Sequence, residues 1–385
     1  MRKRKICFVI TSSIHYSRNK LILESISKNK NLELQIVVAA SAILPRYGDI
    51  QREILEDGFK IDSKIIMTLE GSSNISMVKT TGIGVIEFAT VFESLNTDIV
   101  VIRGDRYEIM SAAIAASYMN IPIAHIEGGD VSGNIDESVR HAVTKLSHIH
   151  FATNEESVRR IIQMGENPNN VFNFGSPEVE LLSKHNKNIN FKEINELGVG
   201  SKIDIEKQFL MVLFHPVTTE SDNRGKTENL LHAINDLDIP TIWFWPNVDA
   251  GTDEVSKAIR VFRETKDVNN MQFLIYLKSE YFLNLLRKTA CLVGNSSAGI
   301  KECSYLGIPV VNIGSRQNGR MQGSNVIDVN YSSEEIKKAI NIQLGNGIYP
   351  MSNIYFNEDC SSKITNILAN IKLRSQKKFY DYLPK

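Results

Sequence analysis

Short apolar runs recur along the chain with helical stretches between them. In the first half they are KICFVI, LELQIVVA, DIVVIRG, IPIAHIE, HIHFAT and VFNFG, the last ending at Gly175. After a polar, charge-rich stretch around residues 184–207 a second series follows: QFLMVLFH, IPTIWFWP, MQFLIYL, ACLVGN, IPVVNIG and NVIDV. β-rich runs that alternate with helical segments predict parallel sheets covered by helices. Two series predict two similar α/β units, alike in rhythm and not in residues. The boundary is expected at Ser176 and Pro177, where a strand gives way to a small polar turn, so that residues 1–176 form one domain and 177–361 the next. A helix is predicted from Ser332, whose S-x-x-E spacing to Glu335 reads as a capping box. A last amphipathic segment from about Ser362 to Leu373 lies in a closing piece, residues 362–385.

Composition narrows the ligand more than the fold. A chain of 385 residues favours two domains of ordinary size. Lys plus Arg equals Asp plus Glu at 44 each, so no global field recruits nucleic acid or an anionic membrane, and local groups must hold any phosphate. The start MRKRK is basic, but Ile6 to Ile10 is too short for a signal-peptide core and no run approaches a membrane span, which predicts a cytoplasmic protein. Cys7, Cys291, Cys303 and Cys360 include no CxxC pair, which argues against a disulfide framework and a zinc site. Two of them lie in strand-like runs and read as small buried hydrophobes.

Open α/β sheets bind ligands outside the carboxyl ends of their strands, so the residues just after each run matter most. They are Thr11 to Arg18, Asp105 and Arg106, Glu127 to Asp130, His215, Asn247 and Asp249, Ser296 and Ser297, and Arg316. The first of these, TSSIHYSRNK, sits where a phosphate loop is expected and has no glycine. GNSSAGIKE, 294–302, joins a strand end to a helix through two serines, Ala298 and Gly299. Small residues let backbone amides approach an anion and the helix start favours negative charge, which makes a phosphate cradle; an ordinary serine N-cap has the same spacing. Glu302 could accept from ribose hydroxyls or complement the helix start.

HIEGGDVSGNIDESVRH, 125–141, carries Glu127, Asp130, Asp136 and Glu137 directly after a strand, with Asp105 leaving a neighbouring strand at the same sheet end. Carboxylates this close raise one another's pKa values in a confined pocket, which suits proton transfer; a solvated acidic loop fits the same letters. No calcium-loop spacing appears, and acid/base work without a metal or cofactor is the expectation. His215, at the end of a strand, suits a phosphate or sugar hydroxyl, or a structural role. Asn247 and Asp249 are sugar-hydroxyl partners and equally turn residues. Arg316 and Arg320 have forks suited to phosphate. Phe282 offers a face for stacking, although its spacing fits a core position. TGIGVIE, 81–87, approaches a dinucleotide fingerprint but lacks the third glycine and follows no strand, so it is read as a loop entering a helix.

Taken together, the chain resembles the hydrolysing UDP-N-acetylglucosamine 2-epimerases. The resemblance runs in order through GDR at 104–106, HIEGGDVSGNIDESVRHAVTKLSHIH at 125–150, HPVTTE at 215–220, PNVDAG at 246–251, GNSSAGIKE at 294–302 and GSRQNGR at 314–320, and covers nearly the whole chain. Non-hydrolysing relatives fit the HIEGGD and NIDESVRH region less well. The resemblance implies a GT-B architecture: two Rossmann-like doubly wound parallel-sheet domains with a cleft between them, and a C-terminal helix returning to the first domain. It implies a UDP-sugar substrate, UDP-N-acetylglucosamine released as N-acetylmannosamine plus UDP, or UDP-N,N′-diacetylbacillosamine by the same reaction, and a homodimer or homotetramer. Asp105, Glu127, Asp136 and His215 would be catalytic. Ser296, Ser297, Gly299 and Arg316 would contact the diphosphate, Glu302 the ribose and Phe282 the uracil side. Arg106, Arg140, Asn247 and Asp249 would complete the substrate-binding set. Family members carry a TGTRADYG-like loop near the start, whose arginine falls where this chain has Ser12, Ser13 and Ile14. Arg18, one helical turn later and helped by Ser12 and Ser13, is the expected replacement; a solvated Arg18, with Arg316 and Arg106 sufficing, fits the same letters.

Overall fold

The computed structural model describes residues 2–69, 73–184, 192–246, 249–266 and 268–382. It divides into two compact units, one of residues 1–131, 135–181 and 355–385, the other of residues 132–134 and 182–354.

The first unit holds β1 (Arg4–Ile10), β2 (Leu32–Ala39), β3 (Ser63–Ile65), β4 (Ile99–Arg103), β5 (Ile123–Ile126), β6 (Ile149–Ala152) and β7 (Val171–Asn173). They form one sheet in the order β3-β2-β1-β4-β5-β6-β7, all parallel. The second unit holds β8 (Val199–Gly200), β9 (Leu210–Leu213), β10 (Thr241–Phe244), β11 (Met271–Leu274), β12 (Cys291–Gly294), β13 (Val310–Ile313) and β14 (Val326–Val329). Their order is β14-β13-β12-β9-β10-β11-β8, parallel except for β8. These are the two doubly wound, Rossmann-like sheets of a GT-B-like α/β fold. The strand order reverses between β1 and β4 in one sheet and between β9 and β12 in the other, which makes those strand ends the ligand positions.

The strands are continuous apolar runs because both sheet faces are covered. In the second unit Leu210, Val212, Trp243 and Phe273 pack on one face, and Met211, Leu213, Ile242 and Phe244 on the other. All four cysteines are buried and free.

Five expectations are corrected. The switch between units falls after Leu181, not at Ser176, because the first half of the helix Pro177–Lys184 is anchored in the first unit: Val179 and Leu181 are buried, and Glu180 accepts from the Ser361 backbone N–H at 2.8 Å. The chain returns to the first unit at Tyr355, before the helix Cys360–Asn370, which packs on the helix Lys20–Lys28. Thr81–Glu87 lies inside the helix Asn74–Leu95 rather than in a loop; a Cβ on Gly84 would stand 2.7 Å from Ser111 Oγ, so this glycine lets the helix approach its neighbour Tyr107–Tyr118. That same helix is long and apolar enough to cross a membrane by length and composition, although Lys79 and Glu87 interrupt its apolar run; Phe88 and Phe92 bury its inner side. The helix Ser333–Asn346 starts after Ser332 without a side-chain cap, and Glu335 accepts instead from the Asn330 N–H at 3.2 Å.

Candidate active site

In the first unit the residues after β1, β4 and β5 meet at the reversal point. TSSIHYSRNK folds as a short helix, Ser13–Ser17, capped by Ser12, whose Oγ accepts from the His15 N–H. His15 is buried, with Thr11 Oγ1 3.0 Å from its Nδ1. Burial first, then the neighbouring Arg106 and Arg103, push its pKa down to about 3, so the imidazole is neutral. Arg18 follows the helix and lies 3.7 Å from the Glu178 carboxylate.

Glu127 leaves β5 with a φ of +72°, a left-handed backbone that only a tightly determined loop imposes on a glutamate. The two glycines behind it are required by space. A Cβ on Gly128 would stand 2.9 Å from His125 Nδ1, and one on Gly129, at φ +73°, 2.4 Å from the Ser157 carbonyl. His125 bonds the Gly104 carbonyl through Nε2 at 2.8 Å, and burial pushes its pKa down to about 4. It is thus part of the scaffold that joins the β4 and β5 ends.

Two buried arginines organise the carboxylates. Arg140, wholly buried on the helix Ile135–Leu146, donates to the Asp105 carboxylate and, at 2.9 Å, to the Asp130 carbonyl. Arg103, the last residue of β4, donates through Nε to Glu127 Oε2 at 2.9 Å, through a second nitrogen to Glu178, and through the third to Asn19 Oδ1 at 3.3 Å. Burial works against the Arg103 charge, and Glu178 and Glu127 together more than offset it. Asp136 is half-buried in the first turn of the Ile135–Leu146 helix. Arg106 forks onto the buried Glu108, at 3.1 and 3.0 Å.

In the second unit the same logic gathers residues around β9 and β12. Gly294, at φ +135°, ends β12 so close to β9 that a Cβ would meet the Leu213 carbonyl at 2.1 Å. Asn295, fully buried, bonds both backbone groups of His215, and its own carbonyl accepts from Arg316 at 3.1 Å and Gln317 at 2.8 Å. Ser296 caps the short helix Ser297–Ile300, its Oγ accepting from the Ala298 N–H at 3.3 Å; the hydroxyl keeps its own proton to donate. The cap and the cradle are therefore compatible in one residue. Gly299 lies on the sheet, where a Cβ would stand 2.9 Å from Val310, so its smallness seats the helix start. Glu302 is buried in the next helical turn, and Asp249 is buried after β10. Phe282 is half-buried, its ring edge-on to Phe244 at 5.7 Å. Asn247 lies outside the described residues.

Among the described residues, the sequence-predicted ones thus fall into two sets, one in each unit. His15 falls in the stretch Thr11 to Arg18 that the sequence singles out, whereas Arg103, Glu178, Asn19 and Asn295 were passed over. Arg103 had a visible signal, a charge inside the otherwise apolar run DIVVIRG, which a buried strand must pair. Asn295 lay within the cradle motif, overshadowed by its serines.

The sequence profile of a family described as "UDP-N-acetylglucosamine 2-epimerase" matches residues 24–369. A Legionella pneumophila protein named "UDP-N,N'-diacetylbacillosamine 2-epimerase (hydrolyzing)" is 32% identical over 97% of both chains. A Campylobacter jejuni protein named "GDP/UDP-N,N'-diacetylbacillosamine 2-epimerase (hydrolyzing)" is 34% identical over 85% of both. Among solved structures, the UDP-GlcNAc 2-epimerase from Neisseria meningitidis bound to UDP-GlcNAc superposes with a TM-score of 0.75 at 17% identity, covering 94% of this chain and 99% of that one.

Proposed function

Because the chain belongs to the UDP-N-acetylglucosamine 2-epimerase family, we propose that it is a hydrolysing 2-epimerase that releases UDP from a UDP-linked 2-acetamido sugar and inverts C2. What supports this reading, beside the family, is that the chain carries both a carboxylate set, Asp105, Glu127 and Asp136, after the strands of the first unit and an anion-binding set, Ser296, Ser297 and Arg316, after the strands of the second.

The chemistry needs both sets. The C2 hydrogen of such a sugar is not adjacent to a carbonyl, so direct deprotonation is very unfavourable. Departure of UDP must lead: the C1–O bond breaks with its electron pair leaving on the diphosphate, which Arg316 and the serine hydroxyls stabilise. The oxocarbenium-like C1 acidifies C2–H, a carboxylate takes that proton, and the C1–C2 double bond of a 2-acetamidoglucal forms. Water then adds its oxygen to C1, losing a proton to a second carboxylate, and C2 is protonated on the opposite face. Asp105, Glu127 and Asp136 divide these roles. Arg140 acts by fixing Asp105, to which it is already bonded. Glu302, Phe282, His215, Asn247 and Asp249 receive the ribose, uracil and sugar region, and Arg18 takes over from the missing loop arginine.

The first reading of the sugar is UDP-N-acetylglucosamine, giving N-acetylmannosamine. The two relatives named for N,N′-diacetylbacillosamine favour a second, the 4-acetamido-6-deoxy analogue. Incubation with each sugar nucleotide, followed by separation of products, tests the proposal: UDP and a free 2-epimeric sugar are expected from one of the two. A UDP-linked epimer, or no release from either, would overturn it. Self-association to a dimer or tetramer belongs to the same reading, and sedimentation measures it.

A further inference from the structure

The carboxylates of Glu127 and Glu178 converge on one buried guanidinium. Arg103 is 1% exposed, Glu178 1% and Glu127 7%, so all three charges are largely out of water. Arg103 Nε is 2.9 Å from Glu127 Oε2, a second nitrogen bonds Glu178, and the third reaches Asn19 in the TSSIHYSRNK segment. We infer that Arg103 is the positioning residue for Glu127: its fork aims the carboxylate and supplies its counter-charge, while Glu178 competes for the same cation. This rests on the reading above that gives Glu127 a proton-transfer role.

A buried carboxylate without a cation takes up a proton, and two carboxylates sharing a site drive one of them neutral. Other ionisable groups lie around this cluster. His15 and His125 stay neutral above pH about 4, so they bring no charge near neutrality. Arg106 is forked onto Glu108, and Arg18 faces Glu178. Glu127 itself is held on a left-handed backbone, so it has little freedom to seek another partner. Arg103 gives that carboxylate a buried, charged and directional bond at 2.9 Å.

Two substitutions must move the pH–rate profile in opposite senses. Arg103→Met leaves Glu127 and Glu178 facing each other, so the limb of the kcat profile carried by Glu127 moves up by about one pH unit or more, and kcat at pH 7 falls about tenfold or more. Glu178→Gln removes the competitor, so the same limb moves down. Arg103→Lys keeps the charge but not the fork, which lowers kcat while the limb stays near its original pH. UDP affinity, measured by calorimetry, stays unchanged in all three. A purely structural role would lower the melting temperature and the active fraction without shifting any limb. Should Arg103→Met fail to fold, Glu178→Gln carries the test alone. Unmoved limbs in the folded variants, with Glu127→Gln inactive, would overturn the inference. Full turnover by Glu127→Gln would instead overturn the role of Glu127.

Discussion

The side-chain amide of Asn295 closes both backbone hydrogen bonds of His215: Oδ1 accepts from the His215 N–H and Nδ2 donates to its carbonyl, each at 2.8 Å. The Asn295 carbonyl in turn holds Arg316 and Gln317. One buried residue therefore ties the chain ends that follow β9, β12 and β13. Asn295→Ala strands both backbone groups, which costs about 2 kcal/mol in stability, and it loosens His215 and Arg316 together. UDP binding should weaken about tenfold by calorimetry, and unchanged affinity would show that these loops are held without Asn295.

Arg140 serves Asp105 in a comparable way. It is fully buried, and Arg140→Met would leave the Asp105 carboxylate and the Asp130 carbonyl without it. A loss of about 1–2 kcal/mol is expected, because Arg140 is buried while the Asp105 side chain stays 24% exposed and keeps part of its hydration. Urea denaturation measures the loss, and kcat should fall far more than UDP affinity if Asp105 works on the sugar. A fall in UDP affinity with kcat retained would instead place Arg140 on the nucleotide.

Much of the fold is legible in the sequence because both sheets are buried on both faces. Twelve strands are visible as apolar runs, whereas β3, SKI, and β8, VG, are two or three residues long and polar or flexible, with no run to see. The unit boundary was hidden because Glu178 and Glu180 look like solvated helix residues until Arg103 and Ser361 are placed beside them. Thr81–Glu87 misleads because its glycines mimic a turn, although Gly84 is there for helix packing. The candidate site was legible at strand ends, where chemistry follows an apolar run. Its supporting residues, Arg103 and Asn295 above all, depend on contacts far apart in sequence.

The histidines make stability depend on pH. His15 and His125 have folded pKa values of about 3 and about 4, against an ordinary 6.5. Burial also lowers His141, His148 and His150. The unfolded chain thus binds protons that the folded one refuses between pH 6.5 and about 4. Stability should be highest above pH 6.5 and fall as pH drops through that window, by about 1.4 kcal/mol per pH unit for each proton taken up. Melting temperatures from pH 7.5 to 4.5 check this, and His15→Gln should flatten the slope. A profile level across the window would contradict it.

Gly129 is a tightly packed point of the loop that carries Glu127 and Asp130. It combines φ +73° with a Cβ position 2.4 Å from the Ser157 carbonyl. Gly129→Ala should cost about 2 kcal/mol or more and displace Glu127 from Arg103, lowering both melting temperature and turnover. Gly58→Ala shares the positive φ but meets no atom within 4 Å, and serves as the control with the smaller loss.

On the proposed function, the chain breaks the glycosyl–UDP bond and exchanges the C2 hydrogen with solvent through its carboxylates. Incubation in D₂O with the sugar nucleotide it turns over, for the wild type and Glu127→Gln side by side, measures this directly by mass spectrometry and NMR of the products. UDP and a free 2-epimeric sugar carrying one deuterium at C2 are expected from the wild type, with turnover lost by about a hundredfold or more in Glu127→Gln and UDP affinity retained. A free sugar with no deuterium at C2, or a UDP-linked epimer as the final product, would contradict it.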